Sequence, residues 1–198
     1  MAVSFLSVNT YETVVVPILS DFTPDSVNHL VDHSESVILF TDNDIWAKLD
    51  ISKMPLLRAV VSVNDFTLLY AAEESISKAF ASVPELFSAK YPMGFTGENV
   101  NYNTENWDEL DIINYTSGTT SAPKGVMLTY KAISATIDYG QRHIPSSDQY
   151  TMVSMLPMAH MYGLVYEFLY PLCNGTSITF LGKTPSPSLL LSAMHDVR

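Results

Sequence analysis

Apolar and polar positions along the chain fall into two alternating periods. Val14-Val15-Val16-Pro17-Ile18 is a short apolar run of buried-strand type. Thr23 and Pro24 then supply an N-cap and an N1 residue, and Val27, Leu30 and Val31 share one helical face at i, i+3, i+4. Val37-Ile38-Leu39-Phe40 predicts the next strand, followed by a short helix at 43–49, a strand at 59–63 and a helix near 72–81. Farther on, Asp111-Ile112-Ile113-Asn114-Tyr115 and Val126-Met127-Leu128-Thr129 predict two short strands joined by a polar loop. Ala132, Ile133, Thr136, Ile137 and Gly140 mark a helix capped by Thr129. Strands at 152–156 and 177–181 flank a helix at about 162–173, and residues 188–198 read as an amphipathic helix. Repeated strand-helix-strand order predicts an α/β fold, a mainly parallel sheet with helices on both faces. Such sheets bind ligands at the carboxyl ends of their strands.

The stretch from Tyr91 to Asp111 interrupts the pattern with Gly94, Gly97, several Asn and a run of acids. A structureless connection of that length is unusual inside a compact domain. The predicted organisation is therefore an α/β lobe over 1–91, a polar surface connection over 92–110 and a second lobe over 111–198.

Charge follows the same division. Residues 1–111 carry 17 Asp+Glu against 5 Lys+Arg, and residues 112–198 carry 4 against 5. Clustered Lys and Arg, which nucleic-acid binding requires, are missing, so a nucleic-acid partner is excluded for the whole chain. Cys173 is the single cysteine, which rules out an internal disulfide and a cysteine-based metal site; no metal site is expected. No apolar run approaches the ~20 residues of a bilayer span, and no basic region precedes the N-terminal apolar stretch. A cytoplasmic setting is expected.

The polar loop holds the candidate chemistry. Tyr115-Thr116-Ser117-Gly118-Thr119-Thr120-Ser121-Ala122-Pro123-Lys124-Gly125 combines short hydroxyl side chains, glycines and one lysine, a composition that can wrap an anion with N–H and O–H donors. No acid lies between Ile112 and Lys131. The NTPase loop places its lysine directly after a glycine and before a hydroxyl at a helix N-terminus. Lys124 lies between Pro123 and Gly125, and both flanks are strand-like, so the Walker class is excluded. An unliganded Ser/Thr-rich hairpin turn is the plain alternative. The stretch, continued through Val126-Met127-Leu128-Thr129, resembles the adenylation motif of the adenylate-forming superfamily, which includes acyl-CoA synthetases, luciferases and peptide-synthetase adenylation domains. Ser121 departs from the glycine more frequent there and stays small.

A second motif follows downstream. Leu156-Pro157-Met158-Ala159-His160-Met161-Tyr162-Gly163 leaves a predicted strand and opens a helix. It resembles the P-x-x-H-x-aromatic-G motif of acyl-CoA synthetases and luciferases. Taken alone, His160 is a helix-start histidine satisfied by backbone, and a stripe such as Met158, Met161, Tyr162 and Phe168 is ordinary core. His29 and His33 share a helix face without a third ligand or an intervening glutamate, and read as a polar surface.

The two resemblances together are similar to a long-chain fatty-acyl-CoA synthetase, and imply an internal segment of its large N-terminal AMP-binding domain, with the C-terminal domain absent. They imply activation of a carboxylate as acyl-AMP with release of pyrophosphate, then transfer to CoA. ATP, Mg²⁺ and CoA are the implied cofactor, metal and substrate. Thr116, Ser117, Gly118, Thr119, Thr120, Ser121, Lys124 and Gly125 would bind the nucleotide phosphates. His160 and Lys124 would be catalytic, and His160, Tyr162 and Gly163 would form the acyl site, backed by Leu164 and Tyr166. The partners are small molecules, fatty acid, ATP and CoA, with peripheral membrane contact of the parent enzyme left open. The isolated segment is expected to be inactive. An amino-acid or aryl-acid adenylating enzyme and a non-catalytic nucleotide-binding fragment are the alternatives.

Overall fold

A computed structural model of the chain describes residues 1–100, 106–116, 123–182 and 185–197. It is an α/β structure in two compact units, Asp21–Glu105 and the combination of Met1–Ser20 with Asn106–Arg198.

In Asp21–Glu105, helix α2 (Pro24–His33) starts as its sequence dictates. Thr23 Oγ1 accepts a hydrogen bond from the Ser26 N–H at 3.2 Å, and Pro24 fills the first helical turn, where its missing N–H costs nothing. Val27, Leu30 and Val31 are buried, Leu30 completely. Burying such a side chain contributes about 1.5–3 kcal/mol. Strand β1 (Ile38–Thr41) runs parallel to β2 (Ala59–Ser62), in register from Ile38 with Ala59 to Thr41 with Ser62. Helix α3 (Asn43–Trp46), capped by the Asp42 carboxylate, and a 3-10 turn at Ile51–Lys53 lie between them. β2 is buried along its whole length and pairs on its other edge, antiparallel, with β3 (Leu68–Ala71). The helix expected near 72–81 is α4 (Glu74–Ala81), and α5 (Val83–Lys90) follows it.

The other unit begins with α1 (Ala2–Thr10), for which the sequence offers no cap; none of its N-terminal groups is capped by a side chain. Its hold is tertiary, through Phe5, which is buried against Phe168 edge to face at 6.4 Å between ring centroids. The strand expected at 14–18 does not form. Val15 alone bridges in parallel to Ile112, giving its N–H to the Asp111 carbonyl and receiving the Ile113 N–H. Pro17 has no N–H to continue such a ladder. Because α1 and this bridge pack with the later residues, the boundary differs from the expected 1–91 lobe: the first 20 residues belong with Asn106–Arg198.

β4 (Leu110–Thr116) and β5 (Lys124–Thr129) form an antiparallel hairpin, irregular between Leu110 and Ile112. Thr129 ends β5 and accepts the Ala132 N–H at 3.3 Å, starting α6 (Tyr130–His143). β6 (Thr151–Ser154) pairs in parallel with β7 (Ser177–Phe180), and the crossover between them is helical. That crossover is α7 (Met161–Leu164), a π-helical segment Val165–Leu169 and α8 (Tyr170–Cys173). The final helix is α9 (Pro187–Asp196), capped by Ser186. Phe5, Ile112, Ile133, Leu164, Val165 and Phe168 form the core, which fixes the hairpin, α6 and the crossover against one another.

Candidate functional site

The hairpin register sets the geometry at the polar loop. Thr116, the last residue of β4, pairs with Lys124, the first of β5, and Tyr115 pairs with Gly125. Gly125 lies flush against its neighbours: a Cβ there would stand 3.0 Å from Ile113 Cγ2 and 3.3 Å from the Tyr115 ring. Thr116 and Lys124 are thus held side by side at the mouth of the loop, both exposed. Ser117, Gly118, Thr119, Thr120 and Ser121 lie outside the described residues.

The His160 segment is fixed from three sides. Beyond the end of β6, the Met155 and Leu156 N–H groups both donate to Glu167 Oε2 at 2.8 Å, and the Ser154 hydroxyl donates to the same oxygen at 3.3 Å. Glu167 is buried in the π-helical segment of the crossover. From the hairpin, Asn114 Nδ2 donates to the Ala159 carbonyl at 3.1 Å. Gly163 closes the third side, where an added Cβ would come within 2.6 Å of the Pro157 carbonyl oxygen. Such an approach admits no side chain, so the motif's glycine is a packing requirement.

His160 itself caps α7. Its Nδ1 accepts the Tyr162 N–H at 3.3 Å, which leaves the proton of the neutral ring on Nε2. The imidazole is exposed and borders a cavity of about 470 Å³. Thr116, Val126 and Leu128 of the hairpin, Ile133 of α6, and Tyr162 and Tyr166 of the crossover also line it. The Tyr162 and Tyr166 rings lie 5.0 Å apart. Polar groups, Asn114, Thr116 and His160, meet apolar walls, the usual composition of a small-molecule site. Of the sequence-predicted residues, Thr116, His160, Tyr162 and Tyr166 share this cavity, and Leu164 does not line it. Lys124, Gly125 and Gly163 are not part of its lining.

Asn114 and Glu167 are the site residues that motif reading misses. Each has a signal: Asn114 is a polar residue facing inward in an apolar strand, and Glu167 is the one charged residue across 161–182. Among the described residues no three His, Cys, Asp or Glu side chains gather as a metal site, and no helix is long and apolar enough to cross a membrane. The His29 and His33 rings lie 5.7 Å apart, tilted by 53° to each other.

The chain is similar to long-chain-fatty-acid–CoA ligase 1 of Cavia porcellus, 27% identical over 180 residues, 86% of this chain and 25% of that protein. It is also similar to peroxisomal long chain acyl-CoA synthetase 6 of Arabidopsis thaliana, 31% identical over 167 residues, 81% of this chain and 23% of the relative. The chain thus spans about a quarter of the length of these curated relatives. Its fold is similar to that of part of the anthranilate CoA ligase AuaEII, solved in complex with anthranoyl-AMP, with a TM-score of 0.75 at 16% identity, covering 96% of this chain and 35% of that structure. A family model described as AMP-binding enzyme matches residues 1–198, so the chain belongs to this family of adenylate-forming ligases.

Proposed function

We propose that this chain is a segment of an ATP-dependent fatty acid–CoA ligase that activates its acid as acyl-AMP, releases pyrophosphate and passes the acyl group to CoA. One observation carries the reading: the base of the Ser/Thr-rich loop, at Thr116, and the imidazole of His160 border the same largely apolar cavity. An aliphatic carboxylate seated there has its tail against Val126, Leu128 and Ile133 and its head at the polar end, beside the loop. Relatives named for a long-chain fatty acid or a long-chain acyl group point the same way.

The chemistry asks the site to bring two anions together, a carboxylate and the α-phosphorus of ATP. Charge repulsion opposes this, so donors must hold the phosphates and the departing pyrophosphate. Thr116, Ser117, Thr119, Thr120 and Ser121, with the Gly118 and Gly125 backbone, supply neutral donors in this reading, and Lys124 supplies a point charge. His160, whose Nδ1 is taken by the α7 cap, is assigned to the acyl carboxylate, and Tyr162 and Gly163 shape the acyl site around it. Mg²⁺ would arrive on the ATP phosphates, which it usually binds through few protein groups. The described residues form no cage of their own for it. A cytoplasmic setting is part of the proposal, as is inactivity of the segment by itself, since it spans only about a quarter of the length of its curated relatives.

Replacing Lys124 by alanine in the full-length enzyme tests the assignment. Loss of one charge-assisted contact of about 1.5–3 kcal/mol predicts roughly a ten- to hundredfold drop in fatty-acid-dependent ATP–pyrophosphate exchange. Exchange at the wild-type rate would remove Lys124 from the mechanism.

A further inference from the structure

Glu167 is a buried acid whose described partners are all N–H and O–H groups of the segment that leads to His160. Two consecutive backbone amides, those of Met155 and Leu156, converge on one carboxylate oxygen, an arrangement that suits a negative charge and fixes the backbone between them. Glu167 lies within the π-helical segment Val165–Leu169. Pro171 lacks the N–H that an α-helix would return to the Glu167 carbonyl, and the Tyr170 N–H reaches back to Val165, an i to i−5 bond. Glu167 in this widened turn faces the residues just beyond β6. The next fixed points are the Ala159 carbonyl held by Asn114, the Pro157 carbonyl under Gly163, and His160 on the cavity.

We propose that Glu167 is a positioning residue: by holding the Met155 and Leu156 amides it sets the course of residues 155–160 and so the placement of the His160 imidazole at the cavity. Its effect on turnover rests on the ligase reading given above; its effect on the His160 segment does not.

Three substitutions in the full-length protein separate the consequences. Glu167→Met fills the space without an acceptor, Glu167→Gln retains one acceptor oxygen, and His160→Ala removes the group being positioned. In Glu167→Met, the Met155 and Leu156 amides are expected to exchange with solvent at least about tenfold faster, and the His160 ring nitrogen resonances to move. Glu167→Gln is expected to keep both near the wild-type pattern. In pyrophosphate exchange, Glu167→Met is expected to lower kcat by about ten- to a hundredfold with little change in the KM for ATP, since misplacement of a reacting group costs on that scale. Glu167→Gln should restore most of the rate, and Glu167→Met should add no further loss on a His160→Ala background.

An unaltered His160 resonance and unaltered amide exchange in folded Glu167→Met would overturn the proposal. So would full additivity with His160→Ala, which would show that Glu167 acts independently of His160, or a methionine variant that fails to fold while the glutamine variant folds, which would make Glu167 a general folding residue. A wild-type protein without exchange activity would sink the ligase reading and leave the amide and imidazole measurements to decide the role of Glu167.

Discussion

Three buried polar side chains in one unit have different work. Asn114 and Glu167 spend their hydrogen bonds on the His160 segment, whereas Asp111 ties α1 to β4 by accepting from Asn9 Nδ2 at 2.6 Å. Burial raises the Asp111 carboxyl from its usual value of 3.8 to about 6, only partly opposed by the Asn9 hydrogen bond. A folded-state value above the unfolded one means that the ionised form costs stability above about pH 6. The cost is relieved as pH falls through 6 toward 3.8 and changes no further below that. Asp111→Asn keeps an acceptor for Asn9 and cannot ionise. Its melting temperature relative to wild type is therefore expected to be higher at pH 8 than at pH 4.5. A difference independent of pH would show that Asp111 does not titrate in this way. His160 shows how a residue can satisfy two readings at once: its Nδ1 is used as a helix cap, as a plain structural histidine would be, while the ring borders the cavity.

At the scale of elements, what the sequence made legible was what local chemistry decides. Thr23 with Pro24 and Thr129 announced α2 and α6, and both hydroxyls cap as expected. The apolar runs of β1, β2, β6 and β7 and the hairpin flanks also appear as strands. Elements fixed by distant partners were not legible. α1 has no cap and is held by Phe5, and the 14–18 run has strand composition yet finds only the Val15 bridge. β3 depends on a turn that holds Phe66 at φ +57, a conformation its residue type does not advertise. The site followed the same rule. Its motifs could be read, but the props under His160, Asn114 and Glu167, lie 46 and 7 positions away in sequence and needed the fold. Removing the α6 cap tests the local half of this account: Thr129→Ala is expected to cost about 1 kcal/mol in denaturant unfolding. No loss of stability would mean that packing of Ile133 starts the helix without the cap.

For the whole molecule, membership of the adenylate-forming ligases accounts for the association of an α/β fold with a hydroxyl-rich hairpin loop and a downstream His160 segment. The substrate is where the proposal goes further, and it does so on the apolar walls of one cavity. Because the chain covers about a quarter of its curated relatives, turnover remains part of the proposal and is tested on the full-length protein. The most direct test is ATP–pyrophosphate exchange by that protein with and without a long-chain fatty acid. The account predicts exchange that requires the fatty acid and is not supported by amino acids or aryl acids. Exchange driven by those acids instead, or no exchange with any carboxylate, would contradict it.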